Sequence, residues 1–522
     1  MAPMLNFPST TQASGIPRRE ILAALSHALD LTEGAVPGHA QRVCLYSMQM
    51  AEVLQLCPSE RSSLYYAALL KDVGCSSNAG RMCLLIGGDD RMMKHDVKFL
   101  DWTRPSLAAV TALWRRAMPH ASAAQRAARI LKLALEQHTN NRTMIELRCD
   151  RGASIARRIG LPEIAAEAIH RLDEHWDGSG YPGRLRGNAI PLLSRILAVA
   201  QHLDVFASET GPGMGLDEAV REMRARSRRW FDPELVRVVE HLHHNGRLAD
   251  IGDIQNLHQA VQDQEPESES ALSDADVDSI CQAFAEVVDA KSSFTYSHSM
   301  GVTDAAVGIA RQLGFGPSRI QRIYRAALLH DLGKLSVPNS ILDKPGRLTP
   351  DEFAVVQHHS RLSQEILSRI ERFADIARIA GQHHEKLDGS GYPDSLTASQ
   401  LSLDSRLLTV ADIYGALTEV RPYREALPEE KVFSILRSEV PHKLDGDCVD
   451  ALKQAVQARM PFALAQENSH ATPATQSVST GCARPRRSAR KRIHHTGVLS
   501  AHGERAGQRL QSKKQPRADP VS

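Results

Sequence analysis

Apolar residues recur along this chain at spacings of three and four. In "SDADVDSICQAFAEVVDAK" (273–291), Val277, Ile280, Phe284, Val287 and Val288 fall on one helical face. Ser273 or Asp274 is placed to cap that helix. The next stretch carries His298, Val302, Ala305, Ile309 and Leu313 on one face and is predicted to stop at Gly314. A third starts behind Pro317 and Ser318, and its apolar face (Ile320, Ile323, Ala327) leads to His330. No segment shows the period of two expected of a strand, so the pattern predicts an all-α protein.

Two segments break the helical pattern. "QAVQDQEPESESALSDADV" (259–277) is acidic, polar and interrupted by proline, as a linker would be. From about residue 466 the chain turns Ser/Thr/Pro-rich and then basic, as in "RPRRSARKR" (484–492), with little to bury. The expected organisation is a flexible N-terminus (1–20), a helical domain (21–250), an acidic linker (251–274), a second helical domain (275–465) and a disordered basic tail (466–522).

The two helical domains repeat each other. "GHAQRV" (38–43) answers "SHSMGV" (297–302), and "YYAALLKDVGC" (65–75) answers "YRAALLHDLGK" (324–334). The same offset separates His39 from His298 and Lys71 from His330. Downstream, "DGSGYP" occurs at 177–182 and 388–393, and "SRILAVAQHLDVF" (194–206) answers "SRLLTVADIYGAL" (405–417). The first copy is longer, with an insertion within 76–149.

Composition narrows the class. A length of 522 residues implies two or three domains, and 42% hydrophobic with 24% charged residues is ordinary for a soluble globular protein. A net charge of +2 gives no overall attraction to nucleic acid; only the basic tail suits that partner or an anionic lipid, and a solvated tail is the plainer reading. Eight scattered cysteines without a Cys-x-x-Cys pair point to free thiols in a reducing cytoplasm. No signal peptide and no apolar run long enough for a membrane span is seen, so a cytoplasmic location is expected.

The second copy interrupts its apolar faces with His298, His330, Asp331, Lys334, His359, His383, His384 and Asp412. Imidazole with carboxylate, without thiolate, is a donor set for Mn, Fe, Co, Ni or Zn. Six or more such positions exceed the needs of one tetrahedral ion and suit a two-metal centre with a bridging hydroxide set for in-line attack on phosphorus. Asp331 is a carboxylate able to bridge two ions. Lys334, one turn behind His330, suits stabilisation of charge on a phosphate oxygen.

These motifs resemble the HD-GYP family, the HD-domain phosphohydrolases that hydrolyse cyclic di-GMP. The resemblance covers about 280–440 and rests on "HDLGK" (330–334), "ILDKPGRLTPDEF" (341–353), "HHEKLDGSGYP" (383–393), "ADIYGAL" (411–417) and "RPYREAL" (421–427). It implies His330, Asp331, His359, His383, His384 and Asp412 as ligands of two divalent metal ions, iron or manganese first, with zinc, nickel or cobalt as alternatives. Lys334 and Asp331 would be catalytic, and Tyr392, Gly391, Pro393, Arg421 and Arg424 would contact the dinucleotide. His298 matches a position that takes an additional metal in some members; the glutamate those members carry one turn earlier is Phe294 here.

At matched positions the first copy has Lys71 for His330, Cys75 for Lys334, Leu172 and Asp173 for His383 and His384, and Gln201 for Asp412; His39 and Asp72 persist. It is expected to be degenerate, with a structural or regulatory role. The leading expectation is a phosphodiesterase opening cyclic di-GMP to the linear dinucleotide or GMP. A phosphohydrolase for another nucleotide, and a non-catalytic adaptor binding a cyclic dinucleotide or protein partners, stay open, as does a homodimer.

Overall fold

The computed structural model describes residues 15–99, 107–118, 121–209, 215–252, 256–266, 271–292, 298–419 and 425–467. The described residues are helical and contain no β-strand. The tail expected from 466 lies almost wholly outside them, as do Phe294, Arg421 and Arg424. No helix among the described residues is long and apolar enough to cross a membrane.

Local chemistry explains the boundaries. Ser273 caps the helix Asp274–Asp289 by accepting the Asp276 N–H, while the Asp276 carboxylate returns to the Ser273 N–H at 3.1 Å. Thr349 and Glu352 make the same reciprocal box ahead of Pro350–Leu367. Proline opens Pro58–Leu70 and Pro317–Leu329, where its missing N–H costs no helical bond. The helix His298–Gln312 ends before Gly314, which takes the left-handed φ of 72°.

The repeat is visible element by element. His39–Val53 matches His298–Gln312, Pro58–Leu70 matches Pro317–Leu329, and Leu192–Glu209 matches Leu403–Thr418. The insertion region carries Ala79–Ile86, Asp90–Phe99, Leu107–Arg116 and most of the long helix Ala123–Arg158. The stretch read as a linker contains the short helix Leu257–Gln262, whose Val261 is buried and accepts the Tyr65 hydroxyl at 3.1 Å.

One hydrophobic core runs through both copies, with Leu69 and Ile196 of the first and Leu328 and Leu408 of the second in the same cluster. Polar contacts also join the copies. Asp90, from the insertion, accepts the backbone N–H of Asn339 at 3.0 Å, just past the turn that carries Lys334.

Candidate metal centre

Every polar residue singled out in the second copy lies at or near a helix end or on an inward helical face. His298 opens His298–Gln312, and His330 and Asp331 follow Pro317–Leu329. Lys334 lies in the turn Leu332–Ser336. His359 lies in Pro350–Leu367, His383 and His384 follow Ala374–Gly381, and Asp412 lies in Leu403–Thr418. Apolar helical faces converge on the core, so side chains at these positions converge too.

Asp331 sits at the middle. Its Oδ1 is 3.3 Å from His359 Nε2 and 3.7 Å from His383 Nε2. Its Oδ2 is 3.3 Å from His330 Nε2 and 3.7 Å from His298 Nε2, and also pairs with Lys334 Nζ. Asp412 adds Oδ1 at 3.4 Å from His298 Nε2 and Oδ2 at 3.6 Å from His384 Nδ1. Three overlapping groups of donors result: His359, His383 and His384; His298, His330 and Asp412; and His330, Asp331 and His383, which links the other two.

The ring tautomers suit metal ligation. His330, His359 and His383 each place Nδ1 against a carbonyl oxygen three residues back, at 2.7, 2.5 and 2.6 Å. A carbonyl only accepts, so Nδ1 carries the proton and Nε2 of the neutral ring is a bare lone pair. His359 Nε2 and His383 Nε2 then face each other at 3.3 Å, an arrangement that calls for a cation between them. His298 Nε2, His330 Nε2 and Asp331 Oδ1 are buried without a hydrogen bond. The donor set fits divalent metal.

Without metal the cluster redistributes protons. Burial opposes charge on His330, but Asp331 and Asp412 override it and raise the imidazole to about 10. Burial lowers His384 to about 3 and, with the neighbouring His384, holds His383 well below the usual imidazole range. Burial would raise the Asp331 carboxyl, yet His330 and Lys334 hold it well below the ordinary range.

The mouth of the site is formed by partly exposed groups: Lys334, His384 and Tyr392. The Tyr392 ring lies 4.7 Å from that of His384 and 6.1 Å from that of Phe353. Gly391 is required by close packing, since a Cβ there would collide with the backbone of Glu385 and Lys386.

Three residues of functional interest, with the first copy's Glu174 as counterpart of one, escaped the sequence reading. Glu385 holds the Gly-Tyr-Pro turn by accepting the N–H groups of Asp394 at 2.7 Å and Leu396 at 2.9 Å. Glu174 does the same in the first copy for Gly183 and Leu185, and its identity at the matched position was the available signal. Glu419 binds His298 Nδ1 at 2.9 Å. Arg148 is the third: its carbonyl packs on Gly74 as the His359 carbonyl packs on Gly333, which makes Arg148 the structural match of His359.

The first copy is therefore occupied by its own cations. Lys71, standing for His330, pairs with Asp72 and lies 3.0 Å from His39 Nε2. Arg148, standing for His359, pairs with Asp173, which stands for His384. Glu33, Asp72 and Cys75 cluster nearby, but Lys94 lies 3.2 Å and Lys98 3.5 Å from Glu33. Burial pushes the Cys75 thiol well up, away from the thiolate a metal would need.

An HD domain model matches residues 91–235 and again 282–448. The chain belongs to the HD-domain phosphohydrolases of the HD-GYP type. It is 40% identical over 441 residues to the 3'3'-cGAMP-specific phosphodiesterase 3 of Vibrio cholerae, covering 84% of this chain and 95% of that protein. A crystal structure of the cyclic GMP-AMP-specific phosphodiesterase V-cGAP3 from V. cholerae aligns with a TM-score of 0.60 at 36% identity, over 85% of this chain and 98% of that one. The cyclic di-GMP phosphodiesterase response regulator RpfG of Xanthomonas campestris is 43% identical over 146 residues, 28% of this chain and 39% of that protein. The HD-GYP protein is an enzyme of a metal-dependent family, and the adaptor reading gives way.

Proposed function

We propose that the second copy hydrolyses a phosphodiester bond of a cyclic dinucleotide, with water added across one P–O bond to leave a phosphomonoester and a hydroxyl. The clustering of His298, His330, His359, His383, His384 and Asp412 around Asp331 is the observation that carries this reading. His359, His383 and His384 would hold one divalent ion and His298, His330 and Asp412 the other, with Asp331 between them. Iron or manganese suits these nitrogen and oxygen donors, and such ions supply Lewis acidity and an activated water.

The chain's own groups do the rest. Carbonyls of Ala327, Val356 and Ala380 fix the imidazole tautomers before any ligand arrives. Lys334 places a cation at the mouth, where negative charge grows on the phosphate oxygens. Tyr392 and Phe353 form an aromatic wall suited to a base. Gly391 and Pro393 shape the turn that presents Tyr392, and Arg421 and Arg424 are assigned to phosphate by the family motif. The first copy, with its sites filled by Lys71 and Arg148, is given a structural or regulatory role.

Of the two candidate substrates, 3'3'-cGAMP is favoured over cyclic di-GMP. The relative matched almost end to end is named for the former. RpfG, named for the latter, matches over 28% of this chain. The test is turnover of both dinucleotides by the full chain, purified without oxygen and supplied with manganese or ferrous iron. A His330→Ala/Asp331→Ala variant should be inert. Equal, metal-independent turnover by that variant would remove the reading.

A further inference from the structure

The two copies solve one problem in different ways, and the difference assigns a role to Glu419. In the first copy His39 Nδ1 lies 2.7 Å from Asp204, which Arg42 also binds at 2.6 Å and Ser208 at 3.3 Å. At the matched positions the second copy has Gly415 for Asp204, Gly301 for Arg42 and Glu419 for Ser208. Glycine inside a helix is disfavoured relative to alanine, so the presence of two calls for a reason. Both lie beside the His298–Glu419 pair. A Cβ placed on Gly415 would lie 2.8 Å from Val302 Cγ2 and 3.8 Å from His298 Nδ1, and one placed on Gly301 would lie 3.8 Å from Glu419 Oε1. The Glu419 carboxylate comes from one helical turn further on and meets His298 Nδ1 at 2.9 Å.

We propose that Glu419 is a positioning residue for His298: its carboxylate accepts the Nδ1 proton and leaves Nε2 as a lone pair aimed between Asp331 and Asp412. His330, His359 and His383 use backbone carbonyls three residues back for this purpose. His298 is the first described residue of its helix, and its Nδ1 meets the Glu419 carboxylate. Here the acceptor is a carboxylate just past the helix Leu403–Thr418, and a carboxylate makes the ring a stronger donor than a carbonyl does. The proposal rests on the metal-centre reading above.

The test is Mn(II) binding by the full-length protein, followed by calorimetry and by the spin-resonance spectrum of the bound ion. Glu419→Ala should weaken the less tightly held Mn(II) about 10- to 100-fold, while the metal-free protein still unfolds in one cooperative transition. Glu419→Gln, which keeps an acceptor but not the charge, should fall between. Gly415→Asp with Val302→Ala in the Glu419→Ala background, which imports the first copy's carboxylate and removes the Val302 methyl its Cβ would meet, should recover affinity; a merely structural role for Glu419 predicts no such rescue. The proposal is overturned if Glu419→Ala binds Mn(II) like the wild type while His298→Ala loses an ion, an outcome that leaves the metal centre standing. Wild-type protein that binds no divalent ion overturns both.

Discussion

The ammonium of Lys71 lies 3.0 Å from His39 Nε2, where the second copy sets His330 beside His298. A covalently attached cation thus stands where the proposed metal centre of the second copy would hold an ion. Lys71 and Asp72 are both buried. Removing one partner of a buried pair costs about 3 kcal/mol or more. Lys71→Met is therefore expected to lower stability by that order in denaturant titrations, while elemental analysis finds the metal content per chain unchanged. Loss of metal from this variant would show that the first copy takes part in metal binding.

Lys334 pairs with Asp331 yet is partly exposed at the mouth. Lys334→Ala should leave metal stoichiometry intact and reduce kcat about 100-fold or more, with a smaller effect on KM. An unchanged kcat would confine this lysine to a structural ion pair.

Metal loading is expected to depend on pH through His330. In the metal-free cluster this imidazole is raised to about 10, so it is protonated throughout the neutral range. A metal must displace that proton, so apparent affinity rises with pH, about tenfold per unit for one displaced proton. Affinity therefore falls on acidification, and the gain with alkalinity ends near the raised value. Calorimetry of Mn(II) binding in buffers of different ionisation enthalpy should show about one proton released; no release would contradict the assigned coupling.

Glu385 and Glu174 hold the two copies of the same turn, but only the first of these turns carries a residue at the proposed site. Either change to alanine removes two half-buried hydrogen bonds to backbone N–H groups, each worth about 0.5–1.5 kcal/mol. Both variants should lose stability. Glu385→Ala should also lose activity, because Tyr392 follows the turn; Glu174→Ala should retain it when assayed below its melting temperature. Equal activity loss in both would show that the copies are coupled through these turns.

Much of this was legible in the sequence. Apolar spacing located the helices around 273–291, 298–314 and 317–329, because an amphipathic helix writes its buried face into every third or fourth residue. The repeated motifs located the positions of the metal-binding set and named their substitutes at Lys71, Asp173 and Gln201, since matched positions in a duplicated chain need no coordinates. Glu419 and the clustering on Asp331 could be decided only by the tertiary structure. Arg148 was within reach of the sequence, because the offset that pairs the two DGSGYP stretches also pairs Arg148 with His359. Glu419 acts across 121 residues, and two glycines that look like gaps in a helical pattern become meaningful only when His298 is seen beside them. Local sequence encodes which face of a helix is buried; what meets on that face depends on how separate helices cross.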